Sequence, residues 1–431
     1  MQSILRQLTQ TERSRLFRYA SWVRRITGFV TEDLVCFFHV LFGLSSNNPF
    51  QNLRELHGWM QPALLPFLHR FVSPHLTGFS LSVATDDSLG CSGYRSLTDA
   101  ILAIPGPYLQ RFSLGEYKWE NSSCRFKQQV SATVLQCGPA LKYLAAGVEL
   151  SEAAVLHVIQ LPHLLTLKLT HEPPPDITNI ISLQDTIVLP SLGSLTLASS
   201  TSYAWLPFLN DLLWRHPAAI AVREPGQSQV QIGIHSALKE LYCWCGEVPK
   251  WSIVRQALAF KNLTVLEVRR TCQIDGCSFD LTDDNVTAIT KALPWIQRLC
   301  LGGPCHLNTC QTTFRALLAL SANCVELEEL DIHFNTINII EDVRSLLETD
   351  DLDIQRLRKG RRCRVTSIPV SRAPLTVDEL ATEVLAQGLL FVFPALEDVP
   401  VHSAAEGATR SAWLGVGAAI SRLKGLRNPD P

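Results

Sequence analysis

A cluster of cysteines is the strongest hint of chemistry in this sequence. Five of the thirteen cysteines fall within forty residues, at Cys272, Cys277, Cys300, Cys305 and Cys310. A structural zinc ion needs four thiolate or imidazole ligands at the corners of a tetrahedron. The four-residue gaps in this cluster differ from the gaps of about two residues in the common zinc knuckles, and the chain has no Cys-x-x-Cys pair. Reduced cysteines that pack as small apolar side chains are therefore the favoured interpretation, with a zinc site as the alternative.

Catalytic motifs are the next candidates, and the sequence contains no complete one. It has no P-loop, HExxH, GxSxG or protein-kinase signature, and its twelve histidines follow no metal-ligand pattern. The paired carboxylates Asp86 with Asp87 and Asp283 with Asp284 are typical of loops and helix caps, and GVGAAI at 415–420 lacks the last glycine of a dinucleotide turn. We therefore expect a protein that is not an enzyme and has no cofactor. An enzyme that uses the cysteine-rich region with a metal is the alternative.

Bulk composition limits the class of partner. Hydrophobic residues make up 46% of the 431 residues and charged residues 18%, as in a folded chain, and the net charge of −2 gives no general attraction to nucleic acid or an anionic membrane. The longest apolar run, 34–44, is about half as long as a membrane span, and Arg6, Glu12 and Arg13 interrupt any signal-peptide core. The sequence thus predicts a cytoplasmic or nuclear protein that binds a protein, and neither nucleic acid nor membrane.

A repeated sequence pattern predicts the strands that would position a binding site. In LEELDIHFNT, 327–336, the apolar residues Leu327, Leu330 and Ile332 combine a step of three residues with a step of two. The step of two is that of a strand whose alternate side chains enter a core, and the residue three positions earlier enters the same core from the preceding turn. The pattern apolar-x-x-apolar-x-apolar recurs at intervals of 23 to 46 residues. It begins at Leu53, Leu76, Leu109, Leu141, Leu164, Leu192, Leu238, Leu263, Ile296, Leu327, Val365 and Leu396.

Between these strands the sequence indicates helices. Thr282 and Ser151 each precede a segment with apolar residues at helical spacing, and Thr376 with Glu379 forms a capping box before a third. Each segment is followed by a proline and then by a strand. The sequence therefore predicts an α/β leucine-rich-repeat solenoid of the ribonuclease-inhibitor-like kind. Its repeats are irregular, its strands lie on the concave side, and helical caps cover both ends.

The repeats divide the chain into three predicted parts. Residues 1–45 form an N-terminal helical cap, residues 46–402 the leucine-rich-repeat solenoid, and residues 403–431 a C-terminal helix and tail. In the first part, Thr9 and Glu12 offer a capping box. The apolar stripe that follows is typical of a cap over the first coil, with a partner-binding helix as the alternative; it consists of Leu16, Tyr19, Ala20 and Val23.

A basic run at 356–364 follows an acidic stretch that begins at Glu348. Such a run can be a nuclear localisation signal or an RNA contact. More often it is a solvated loop, and here the neighbouring acids could neutralise it. The solvated loop is therefore the favoured interpretation, and the nuclear signal stays open.

The outward-facing strand residues are the candidates for partner binding. Side chains that alternate with core positions, such as those on either side of Leu330 and Ile332, lie on the concave face. From the repeat at Leu238 onward they combine aromatic, basic and acidic groups, the mixture found at protein interfaces. Earlier strands carry outward residues that are small and uncharged, such as Ser194 and Thr196. The alternative is that Trp244 packs across neighbouring strands and the charges are solvated. The predicted partner-binding residues are Glu240, Tyr242, Trp244, Glu267, Arg269, Arg298, Asp331 and His333.

Six apolar segments, spread over nearly the whole chain, carry a resemblance to a known family. They are ERSRLFRYASWVRRI at 12–26, NPFQNLRELHGW at 48–59, FLHRFVSPHLTGFSL at 67–81, LPSLGSLTLAS at 189–199, LTDDNVTAITKALPWIQRLCLGG from Leu281, and AQGLLFVFPALEDV from Ala386. Through these segments, rather than through catalytic motifs, the chain resembles the F-box/leucine-rich-repeat proteins of mushroom-forming fungi.

The resemblance implies a substrate receptor of a cullin-RING (SCF-type) ubiquitin ligase. In that family an F-box that opens with a Leu-Pro-x-Glu-like motif precedes the segment similar to 12–26, whereas here eleven residues precede it and carry no such motif. We therefore expect the ligase adaptor to bind only if an F-box lies upstream, and residues 1–45 not to retain it. A leucine-rich scaffold with no ligase role is the alternative function.

Overall fold

Two compact units make up the chain. The first comprises Met1–Leu197 with Trp214–Val230, and the second comprises Ala198–Leu213 with Gln231–Pro431. The computed structural model describes residues 9–29, 32–44, 48–60, 62–83, 91–115, 124–171, 174, 189, 191–199, 237–245, 251–270, 281–302, 311–332, 334–335, 338–348, 354–355, 363–369, 375, 379–401 and 407–427.

Each unit contains parallel strands that pair with one another in chain order. In the first unit β1 to β7 pair successively, each parallel to the next, and in the second unit β8 to β11 do the same. Among the described residues the strands are β1 Arg25–Phe29, β2 Glu55–Met60, β3 Gly78–Val83, β4 Arg111–Leu114, β5 Tyr143–Ala146, β6 Thr166–Leu169, β7 Ser194–Ser199, β8 Glu240–Cys245, β9 Val265–Arg270, β10 Arg298–Gly302 and β11 Glu329–Ile332.

The hexamer pattern determines where the strands begin. At ten of its twelve positions a strand starts two residues after the first apolar residue, and all twelve first residues are buried. The last two positions give single parallel bridges, from Ser367 to Glu329 and from Ser367 to Asp398. One parallel strand per repeat is compatible with an α/β solenoid.

Helices connect most of the strands. They are α1 Gln10–Trp22, α2 Glu32–Gly43, α3 Cys91–Leu102, α4 Cys124–Gln136, α5 Glu152–Ile159, α6 Trp251–Ala257, α7 Asp283–Ala292, α8 Phe314–Asn323, α9 Ile339–Glu348, α10 Glu379–Val392 and α11 Gly407–Arg427, with 3₁₀ turns at Pro62–Arg70 and Gly106–Tyr108. Ser151 and Thr282 cap α5 and α7 as predicted, because each side chain accepts a backbone N–H of the first turn. Thr376 lies outside the described residues.

The N-terminal part contains a strand that the sequence did not predict. Thr9 and Glu12 form the expected capping box of α1, with Glu12 Oε2 2.7 Å from the Thr9 backbone nitrogen. After α1 the chain enters β1, which pairs with β2. In the register Gly28 faces Gly58, and a Cβ atom on Gly58 would collide with the Gly28 carbonyl oxygen. Gly28 has a φ of 108°, which favours glycine.

Aromatic packing explains the longest apolar run. That run lies in α2, where Phe38 and Phe42 are buried, and each ring centroid lies 5.0 Å from that of Phe71 in an edge-on arrangement. The run therefore forms a core helix, as its length predicted. None of the helices in the described residues is both long enough and apolar enough to cross a membrane.

The C-terminal helix α11 packs against α10. Trp413, Val416 and Ile420 are buried on one side of it, and its Arg422 lies 2.9 Å from Glu383 on α10. Lys424 Nζ also donates to the carbonyl oxygen of Ala395, at 3.4 Å. The apolar side of this helix is therefore buried within the second unit.

Candidate functional site

The outward residues of β8 to β11 lie in three rows, which we call the unit-two strand face. The rows follow from strand register, since residues paired across parallel strands stand side by side. The first row is Glu240, Val265, Arg298 and Glu329; the second is Tyr242, Glu267, Cys300 and Asp331; the third is Trp244, Arg269 and Gly302. The core positions between them, including Leu330 and Ile332, are buried as predicted.

A hydrogen-bonded network joins the second and third rows. Trp244 Nε1 donates to Glu267 Oε1 at 3.0 Å, and Arg269 Nε lies 3.1 Å from the same oxygen. The Arg269 guanidinium also reaches Asp331, with Nη2 and Oδ2 3.6 Å apart. The Glu267 side chain is only 10% exposed, whereas that of Arg269 is 47% exposed. A buried carboxylate thus holds an indole ring and a guanidinium that remain accessible from outside.

A second ion pair lies in the first row. Arg298 binds Glu329 through two nitrogens, with Nε 2.5 Å from Oε2 and Nη2 2.6 Å from Oε1. This hydrogen bonding raises the pKa of Arg298. Burial, together with the nearby Glu240 carboxylate, raises the pKa of Tyr242, so its hydroxyl stays protonated at neutral pH. The first row therefore offers a charged pair with fixed geometry, and Tyr242 in the second row adds a phenol.

Cys300 stands in the middle of this face without being a reactive group. Its side chain is buried between neighbouring strands, and that burial raises the pKa of the thiol to about 11. A thiol is nucleophilic or metal-binding only as the thiolate. At neutral pH Cys300 is a small protonated side chain beneath the network.

The zinc alternative rests mainly on four other cysteines of the cluster. Cys272, Cys277, Cys305 and Cys310 lie outside the described residues. Within the described part of the chain, no group of three or more histidine, cysteine or acidic side chains is placed to hold a metal ion.

The described cysteines give a direct test of the packing interpretation. Burial raises the pKa of both Cys137 and Cys324 to about 12, while Cys124 is exposed. With iodoacetamide at pH 8, we expect the folded protein to be alkylated at Cys124 and not at Cys137 or Cys324, because the buried thiols are protonated and inaccessible. Peptide mass spectrometry measures the labelling, and a denatured sample is the control in which all three react. Equal labelling of Cys137 and Cys124 in the folded protein would contradict this.

Seven of the eight predicted partner-binding residues lie on the unit-two strand face. The network brings together Trp244, Glu267, Arg269 and Asp331, whereas Arg298 pairs with Glu329 instead. The eighth, His333, lies outside the described residues. For the basic run at 356–364, residues 356–362 lie outside as well. Arg364 pairs with Glu326 at 3.1 Å and with Glu328 at 3.6 Å.

Charged and aromatic groups on the first unit were missed by the sequence analysis. On β1 and β2, Arg25 Nε lies 2.6 Å from Glu55 Oε2, and this hydrogen bonding lowers the pKa of Glu55. His57 Nε2 lies 3.5 Å from the same carboxylate oxygen. On β4 and β5, the Arg111 guanidinium lies 4.4 Å above the ring of Tyr143. The sequence signal for these groups was the same as for the second unit. Glu55 and His57 occupy the outward third and fifth positions of the hexamer at Leu53, and Arg111 occupies the third position of the hexamer at Leu109.

These features define an α/β protein with parallel strands and a polar, partly exposed strand face. No protein-family model matches the chain, and no curated protein matches it.

Proposed function

We propose that the chain is a leucine-rich-repeat protein that binds another protein on the unit-two strand face. The observation that carries the proposal is the network in which buried Glu267 holds Trp244 and Arg269. Aromatic residues and arginine contribute most of the binding energy at protein interfaces. Side chains that are already fixed lose less conformational entropy on binding. The face is therefore suited to a folded protein partner.

We also propose kinship with the substrate receptors of cullin-RING ubiquitin ligases. Support comes from the resemblance of segments such as 12–26, 48–59 and 67–81 to fungal F-box/leucine-rich-repeat proteins. A solenoid of repeats would also offer the extended surface that substrate binding uses. A leucine-rich scaffold without a ligase role is the second candidate.

Trp244→Ala tests the binding face. We expect the variant to weaken partner binding by about 2 kcal/mol or more, because the exposed indole surface is lost. The melting temperature should change little, since Glu267 keeps its contact with Arg269. The partner is first captured through a photo-crosslinking residue at position 329, and its affinity is then measured by calorimetry.

Trp295→Ala is the matched control, because Trp295 is 60% exposed and lies outside the strand face. It should leave binding unchanged. Equal losses of stability and binding in Trp244→Ala would show that Trp244 is structural, and the proposed face would fall.

The captured partner also distinguishes a ligase receptor from a scaffold. A receptor directs its partner to degradation, so the partner's half-life should lengthen when the gene is deleted and when cullin activation is inhibited. Wild-type cells are the reference for both measurements. An unchanged half-life under both conditions would favour the scaffold.

A further inference from the structure

A row of residues at the edge of the first unit stands where strands β1 to β6 begin. We call Arg24, Arg54 and Lys142 in this row, together with Arg111 one residue beyond it on β4, the basic edge. The row also includes Thr77, Gln110 and Leu165, and a continuous ladder of backbone hydrogen bonds joins it. Its N···O distances are 2.7 to 2.8 Å, for Arg54 to Arg24, Thr77 to Arg54, Gln110 to Thr77, Lys142 to Gln110 and Leu165 to Lys142. At about 4.8 Å per strand, the row from Arg24 to Leu165 is about 24 Å long.

The cations of the basic edge are available to a ligand. All four side chains are exposed, and within the described residues none of them forms an ion pair. Arg25 differs, because Glu55 binds it. Arg111 is instead held by the ring of Tyr143, which lies beneath its guanidinium, and no carboxylate among the described residues pairs with it. Like charges along one edge repel each other, and an anionic ligand would relieve that repulsion.

Exposed apolar groups accompany these charges. Leu165 is 48% exposed and directly follows Lys142 in the ladder. Tyr108 is 69% exposed and lies in the turn before β4, two residues ahead of Gln110. An aliphatic side chain gains by contact with apolar protein groups, whereas phosphates and base edges offer it little.

The second unit does not share this character. Its corresponding ladder runs through Lys239, Thr264, Gln297 and Glu328. Glu328 in this ladder is acidic. The nearby cation, Arg364, forms ion pairs with both Glu328 and Glu326. The basic edge is therefore a property of the first unit and not a requirement of the repeat.

From this geometry we propose that the basic edge binds an acidic, amphipathic segment of a partner protein. Its carboxylates would pair with Arg54, Lys142 and Arg111, and its apolar side chains would cover Leu165 and Tyr108. Charge complementarity sets the orientation and speeds the encounter. The site is separate from the unit-two strand face and does not depend on the function proposed for it.

The test uses a fluorescein-labelled peptide of repeated Glu-Leu-Glu-Ser, with anisotropy measured on the full chain. We expect saturable binding that weakens as ionic strength rises. The double variant Arg54→Glu with Lys142→Glu should weaken binding by roughly tenfold or more, because attraction becomes repulsion. Lys239→Glu is the matched control at the equivalent position of the second unit, and it should bind normally. Thermal melts of both variants confirm that they are folded.

Further arms separate the possible ligands. A Gln-Leu-Gln-Ser peptide should fail to bind, and Tyr108→Ala should weaken binding of the acidic peptide, whereas Trp295→Ala and Trp244→Ala should not. The proposal is overturned if the double variant binds as well as wild type. It is overturned equally if single-stranded oligo(dT) or phosphatidylserine vesicles bind more tightly than the acidic peptide. A failure here leaves the Trp244 result unaffected, so the two proposals are judged separately.

Discussion

Leu330→Ala is expected to lower the free energy of unfolding of the second unit by about 2–5 kcal/mol, since it removes a buried side chain and leaves a cavity. Leu330 is 1% exposed and stands beside Leu299 in the register of β10 and β11. Because repeats contact mainly their neighbours, the damage should first appear in the adjacent strands. Urea denaturation followed by circular dichroism measures the loss, and hydrogen exchange locates it.

Glu329→Ala is the control on the same strand. The Glu329 side chain is 57% exposed and makes a surface ion pair with Arg298, so its removal should cost far less than that of Leu330. If Leu330→Ala melted like wild type, the assignment of Leu330 to a solenoid core would be wrong. Similar losses in both variants would mean that the two faces of β11 are not distinguished by burial.

Strand positions and register were accessible from the sequence because both depend on local burial. Aligning the hexamers at Leu238, Leu263, Ile296 and Leu327 places their strands side by side, and the observed pairing follows that alignment. Each strand must bury alternate side chains, so a shift of one residue would expose the core set. The sequence thus indicated which residues of the unit-two strand face are neighbours.

The contacts within the face could not be predicted in the same way. Glu267 occupies an outward position, yet it is buried because Trp244 and Arg269 close over it. That arrangement depends on side-chain rotamers and not on the period of the sequence. Strand β1 was missed for another reason: Val23, which begins its hexamer, also fits the helical stripe of the N-terminal part. The sixth position of that hexamer is Gly28, which lies opposite Gly58 in the pairing of β1 with β2.

Trp413→Ala is the second large expected effect, a loss of about 3–5 kcal/mol. Trp413 is 0% exposed, and its ring centroid lies 6.3 Å from that of Phe334 in an edge-on arrangement. The indole thus joins α11 to the segment that follows β11 within the second unit. Its loss should release α11 before the strands unfold, because the remaining contacts of this helix with α10 include the exposed pair Arg422 and Glu383.

Leu414→Ala is the matched control, because Leu414 lies one residue further along the same helix and is 57% exposed. It should change the melting temperature little. Limited proteolysis measures the local effect, since cleavage within 407–427 should accelerate in Trp413→Ala and not in the control. If α11 were cleaved at the same rate in both variants, Trp413 would not hold this helix in place. The predicted role of α11 as a cap over the last repeats would then be wrong, whatever the change in overall stability.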